Sequence, residues 1–207
     1  MIRILHTADW HLGQTFFGYD RTGEHEVFLN WLAEEIRQKE IDALIIAGDV
    51  FDVSNPSAAS QSMYYQFIYR VTVENPNLQI VIVAGNHDSA ARLEAPLPLL
   101  QAMRTEVRGV VRKLEGGEID YDHLIVELKN RKGKWNCFVW LSLFCAKGII
   151  RSCRRKATRT RREFANYIRN FCKGYGSKGQ RISRFLPSVI CRLQDRRLQK
   201  KIIVNVL

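Results

Sequence analysis

Three short clusters of side chains carry most of the chemistry this chain can do. They are Asp9 with His11, Asp49, and the run Asn86-His87-Asp88. Carboxylate, carboxamide and imidazole groups together suit a divalent metal ion. Hydrolysis of a phosphate ester calls for such ions, because it needs a hydroxide at neutral pH and neutralised charge on the phosphoryl oxygens. Two metal ions about 3.5–4 Å apart supply both. Asp9 and His11, two positions apart on one loop, can grip one ion. Asp49 has the chemistry of a bridging carboxylate, and Asn86 offers a neutral oxygen to a second ion. His87 is then left as a catalytic group facing the phosphate or the leaving oxygen. Asp88 is expected beside it as a second catalytic-site residue, a carboxylate that orients the imidazole.

Each cluster follows an apolar run. Ile2 to Leu5 precedes Asp9, Ala43 to Ala47 precedes Gly48-Asp49, and Leu78 to Ala84 precedes Gly85-Asn86. Unbroken apolar runs of this length suit parallel strands covered on both faces. The ends of such strands are where α/β sheets place ligands. Two helical stretches separate the runs. Over Glu24 to Lys39, the residues Val27, Phe28, Trp31, Leu32 and Ile36 predict one apolar face. Over Ser57 to Val73, the residues Met63, Phe67 and Val71 do the same, and Asn75-Pro76-Asn77 ends the stretch. A weaker helix is expected over Leu97 to Met103. Two short strands around Glu115-Gly116-Gly117 are expected within Val107 to Leu128, as a hairpin-like pattern. The alternation implies an α/β layered fold. Trp10, Phe16 and Phe17 are expected to serve packing rather than base stacking. His6, His25 and His123 are expected to be core or surface histidines.

The 207 residues carry a net charge of +11, which invites a nucleic-acid reading. The charge is divided unevenly. Residues 1–130 hold 11 Lys and Arg against 19 Asp and Glu, a net of −8. Residues 131–207 hold 21 against 2, a net of +19. All five histidines lie in the first part, and all five cysteines lie in the second. A boundary near 133 is therefore expected, with a basic, Arg- and Cys-rich tail over 134–207 whose fold has no legible pattern. The cysteines form no CxxC pair, so a zinc site is poorly supported. No apolar run of about 18 residues suggests a membrane span. The first residues lack the apolar region of a secretory signal, so a cytoplasmic chain is expected.

His6-Thr7-Ala8-Asp9-Trp10-His11-Leu12-Gly13, Gly48-Asp49-Val50-Phe51-Asp52 and Gly85-Asn86-His87-Asp88-Ser89 together resemble the first three motifs of the calcineurin-like metallophosphoesterases. Their fuller wording is similar to the D subunits of the bacterial SbcCD nucleases. The resemblance covers roughly residues 1–133. It implies the first part of a metallophosphoesterase β-sandwich flanked by helices. It also implies a manganese-dependent exonuclease and endonuclease acting on double-strand DNA ends and hairpins in repair and recombination. DNA and an SbcC-type ATPase are the implied partners, with a homodimer also open and no membrane involved. Two divalent ions, Mn2+ by family, are the implied cofactors.

The family pattern continues with a Gly-His element and a Gly-His-x-His motif, but no histidine follows His123 here. The second metal site is therefore expected to be incomplete, and this chain weakly active or inactive. A shift of reading frame accounts for the change. Reading the third base of each codon with the first two of the next, residues 138–149 permit Cys-Val-Ala-Val-Pro-Phe-Leu-Arg-Lys-Arg-Asp. That string contains the Ala-Val-Pro-Phe-Leu-Arg segment of the family. Residues 188–191 permit Gly-His-Leu. Two other readings stay open: a phosphatase of small phosphoesters, and a basic nucleic-acid-binding remnant using Arg151, Arg154, Arg155, Lys156, Arg159, Arg161 and Arg162.

Overall fold

The three apolar runs become neighbouring parallel strands, with their polar clusters at one end of the sheet. The structure is a computed structural model that describes residues 2–117, 119–120 and 122–130, and the backbone of 135–141, 186–188 and 202–206. In chain order the elements are β1 (Ile2–Thr7), β2 (Thr15–Phe16), β3 (Tyr19–Asp20), α1 (Thr22–Gln38), β4 (Ala43–Ala47), α2 (Ala58–Glu74) and β5 (Gln79–Val83). Then come α3 (Ala90–Glu94), α4 (Leu97–Ala102), β6 (Thr105–Arg108), a 3-10 turn at Asp122–Leu124 and β7 (Ile125–Lys129). β8 (Trp135–Leu141), β9 (Leu186–Ser188) and β10 (Ile202–Val206) complete the described elements.

β10, β1, β4, β5 and β6 form one sheet in that order, with parallel pairing throughout. A second sheet holds β7, β8 and β9. Alternation along each strand divides the core in two. Leu5, Leu44, Ile46, Ile80 and Ile82 belong to a cluster with α1 and α2. Ile2, Ile4, Ala43, Ile45, Val81 and Val83 pack instead with Val126 and Leu128 of β7. The sheet is thus covered by helices on one face and by β7 on the other, which is why its strands read as unbroken apolar runs. The Gln79 side chain ties the layers together. It donates to the Glu127 carbonyl at 3.2 Å and accepts from the Lys129 amide at 2.6 Å.

The expected α/β layered class is observed. Two local expectations are corrected. The buried face of α1 runs through His25, Leu29, Leu32, Ala33 and Ile36, leaving Val27 and Trp31 exposed. The expected stripe was rotated because an apolar residue adjoins the true face at several positions, and Leu29 and Ala33 complete that face. The strands within Val107 to Leu128 do not pair with each other. β6 joins the parallel sheet, while β7 pairs with β8. Around Glu115-Gly116-Gly117 only the single bridge between Lys113 and Ile119 is seen among the described residues. The tail over 134–207 lies outside the described residues, apart from the three strand backbones.

Candidate metal centre

The loop after β1 and the loop after β4 continue the strand pairing beyond the sheet. The Asp9 amide donates to the Gly48 carbonyl at 3.1 Å, His11 to Asp49 at 2.9 Å, and Leu12 to Val50 at 3.0 Å. The Asp52 amide returns to the Leu12 carbonyl at 3.3 Å. These bonds hold three site residues in left-handed backbone: Asp9 at φ 56°, His11 at φ 46° and Asp49 at φ 50°. Such conformations are costly for residues other than glycine and persist where surrounding bonds enforce them. The ladder does so here.

The loop after β5 is pressed against the same place. A Cβ on Gly85 would lie 2.1 Å from Asp49 Oδ1 and 2.3 Å from the Asp49 amide nitrogen. Only glycine permits that approach. The approach lets the His87 amide donate to Asp49 Oδ1 at 2.9 Å. Asp88 then locks the two loops. Its carboxylate accepts from the amides of Gly85 at 2.8 Å, Phe51 at 2.9 Å and Val50 at 3.2 Å. Burial raises its pKa above the ordinary carboxylate value, and the three amide bonds oppose that rise.

Asp9, His11 and Asp49 bring one ligand atom each to within 4.8 Å of one another. Two carboxylates and an imidazole at that separation fit a divalent cation. His11, Asp52 and His87 form a second such group. The rings of His11 and His87 meet edge to face with centroids 4.8 Å apart. Asn86 sits on the same turn with its side chain exposed. The predicted residues are thus gathered at one end of the sheet.

The role expected for Asp88 is corrected. The His87 imidazole is held not by that carboxylate but by the Asp52 carbonyl, 2.7 Å from Nδ1. This bond is the main reason the His87 pKa lies above the ordinary histidine value, opposed by some desolvation of the exposed ring and reinforced by nearby Asp49, Asp52 and Asp88. Asp88 has its acceptor capacity committed to three amides and acts on the architecture of the loops. Asp52 is the residue that sequence reasoning missed. Its Oδ1 lies 3.2 Å from His11 Nδ1, an ion-pair distance without hydrogen-bond alignment. It also accepts from Gln14 Nε2 at 3.3 Å. Its sequence signal was only its place three residues after Asp49; the Leu12–Phe51 bridge turns it toward His11.

The other singled-out side chains divide. Trp10 is buried, edge to face with Phe28 and Phe67, and its indole N–H donates to Thr7 Oγ1 at 3.0 Å. Phe16 and Phe17 are not packing groups, being 62% and 89% exposed. His6, His25 and His123 have pKa values lowered by burial, and none belongs to either metal-type group.

A parallel sheet carrying Asp-x-His, Gly-Asp and Gly-Asn-His-Asp at successive strand ends defines a class, and the family comparison agrees with it. Residues 2–170 match the model of the calcineurin-like phosphoesterases, and the chain belongs to that family. It is similar more narrowly to proteins named as the D subunit of the nuclease SbcCD. The one from Rhodobacter capsulatus is 45% identical over 133 residues, 64% of this chain and 33% of the relative. Those from Escherichia coli K12 and Bacillus subtilis are each 42% identical, over 106 and 98 residues. These stretches are 51% and 47% of this chain, and 26% and 25% of the relatives. The chain therefore spans a quarter to a third of the length of these relatives. Pseudomonas putida nuclease MPE, a solved structure, overlaps 53% of this chain and 49% of its own at a TM-score of 0.33 and 21% identity; that overlap is too slight to add to the fold. No helix among the described residues is long and apolar enough to cross a membrane.

Proposed function

We propose that this end of the sheet is the phosphodiester-hydrolysing centre of a DNA nuclease of the kind found in the D subunits of SbcCD. The observation that carries the reading is the meeting of Asp9, His11 and Asp49 within 4.8 Å, with His87 against them. Asp9, His11 and Asp49 would hold one divalent ion, and Asp49 with Asn86 part of a second. Bound there, Mn2+ would polarise the phosphate as a Lewis acid and lower the pKa of water so that hydroxide is available near neutral pH. The chain's own residues do the rest. The Asp52 carbonyl accepts from Nδ1–H of His87, which keeps the imidazole directed and leaves Nε2 to face the phosphate or the leaving oxygen. Asp49 Oδ1, bonded to the His87 amide, fixes the distance between ligand and catalytic group. Asp88 keeps both loops in place.

The substrate is DNA, at double-strand ends and hairpins, with an SbcC-type ATPase as partner and repair as the setting. The support is the relatives' name and the three motifs. The ligands of the family's later motifs lie in another reading frame beyond residue 133, so this chain turns over weakly. The gene's nucleotide sequence tests the last point, and stop codons in the shifted frame would refute it. The functional reading is tested by Mn2+-dependent hydrolysis of a DNA end beside hydrolysis of a small phosphomonoester. Weak diester cleavage, lost in Asp49→Asn, is expected. Hydrolysis of the monoester alone would favour a small-substrate phosphatase and refute the nuclease assignment. Rapid cleavage abolished by His87→Ala would refute the incompleteness.

A further inference from the structure

The hairpin formed by β2 and β3 carries three aromatic rings that the core does not use. Phe16 is 62% exposed, Phe17 89% and Tyr19 76%. Phe16 and Phe17 touch each other edge to face, with centroids 4.7 Å apart. The turn is left-handed at both Phe17, φ 47°, and Gly18, φ 83°. Asn or Gly suits such a turn far better than Phe. A large aromatic ring therefore stands exposed at a conformation that disfavours it, and among the described residues its ring contact is with Phe16, itself exposed.

The hairpin is anchored to the candidate centre. Arg21 Nη1 donates to Gln14 Oε1 at 2.5 Å, closing the hairpin at its base. The Gln14 amide donates to the His11 carbonyl at 3.0 Å, and Gln14 Nε2 donates to Asp52 Oδ1 at 3.3 Å. Asp52 in turn holds His87. The only charged residue within Thr15 to Asp20 is Asp20 itself, an exposed carboxylate that accepts from the Thr22 amide and hydroxyl. With a net of −8 over residues 1–130, this part of the chain has little attraction for phosphates outside the metal centre. What the hairpin offers is π faces on an element tied through Gln14 to the proposed phosphodiester centre. Nucleobases stack on such faces whatever their sequence.

We propose that the hairpin is a platform on which an unstacked nucleobase rests, next to the phosphodiester held at the centre. The proposal rests on the nuclease reading. It assigns Phe17 and Phe16 to substrate binding, and Gln14 to the link between the platform and His87.

The test uses the full 207-residue chain with Ca2+ in place of Mn2+, so that the centre carries a divalent ion while cleavage is slow. A DNA duplex carries 2-aminopurine at its terminal nucleotide, and a second duplex carries it at an interior position. Binding by the wild type is expected to change the fluorescence of the terminal probe only. Phe17→Ala is expected to remove that change and to weaken binding of the duplex end roughly five- to one-hundred-fold. Phe17→Trp is expected to restore both. Thermal melting checks the fold, and it should be unchanged because Phe17 is exposed and alanine keeps the same backbone. Equal fluorescence change and equal affinity in wild type and Phe17→Ala would overturn the platform while leaving the nuclease reading intact. A wild type that binds no DNA would overturn both. An effect of Phe17→Ala on sedimentation alone would assign the rings to a second copy of the chain and would also overturn the proposal.

Discussion

Gly85→Ala is the substitution whose consequence the structure fixes most closely. The new methyl would meet Asp49 Oδ1 at 2.1 Å, the Asp49 amide nitrogen at 2.3 Å and Asp49 Cγ at 2.7 Å. Ordinary contacts between such atoms are about 3.5 Å, so the two loops must part by roughly 1 Å. The amide nitrogen cannot yield by a side-chain rotation. Parting the loops strains the bond from the His87 amide to Asp49 Oδ1 and those from the Val50 and Phe51 amides to the Asp88 carboxylate. Overpacking costs about 1–3 kcal/mol. Losing one hydrogen bond to a charged acceptor costs about 1.5–3 kcal/mol more. The expected destabilisation is therefore about 2.5–6 kcal/mol, or about 5–24 °C in Tm for a chain of this size. Gly116→Ala is the control, because nothing lies within 4 Å of its Cβ position. Urea titration of both variants reads the difference, and Mn2+ calorimetry on Gly85→Ala should show weakened binding. A Gly85→Ala protein as stable as Gly116→Ala, with unchanged Mn2+ affinity, would refute the close apposition of the two loops.

Asp88→Ala leaves three amide N–H groups without their acceptor and should cost about 3–5 kcal/mol by urea titration, with Asp88→Asn milder because it keeps one oxygen. Trp10→Ala should cost about 3–5 kcal/mol in the same assay, since it empties a buried contact between Phe28 and Phe67. His6 has both ring nitrogens buried without a hydrogen-bond partner among the described residues, and burial lowers its pKa below the ordinary value. The unfolded chain then takes up the proton first as pH falls, so stability is full above about pH 6.5 and declines as pH drops through that value toward the lowered folded pKa. His25 and His123 act in the same direction, while exposed His87 acts weakly against them. Stability measured from about pH 7.5 to 5 should therefore fall less in His6→Phe than in the wild type.

The strands and the gathering of the candidate site residues at their ends were legible in the sequence for one physical reason. A strand buried on both faces must be apolar throughout, so the polar residue that ends it stands out, and Asp9, Asp49 and Asn86 all did. What was not legible depended on paths through space. Asp52 reaches His11 and His87 only because the loop after β4 pairs with the loop after β1. Asp88 faces backbone amides rather than the adjacent imidazole, which spacing along the chain cannot reveal. Phe16 and Phe17 looked like core residues because composition carries no sign of a hairpin that projects its rings outward.

Whether Asp9, His11 and Asp49 hold a divalent ion at the end of this sheet is tested most directly by calorimetric titration. Mn2+ is titrated into the wild-type chain and into Asp49→Ala. Saturable binding by the wild type, lost in Asp49→Ala with the fold retained by circular dichroism, is the expected result. No binding by the wild type, or binding indifferent to Asp49, would contradict it.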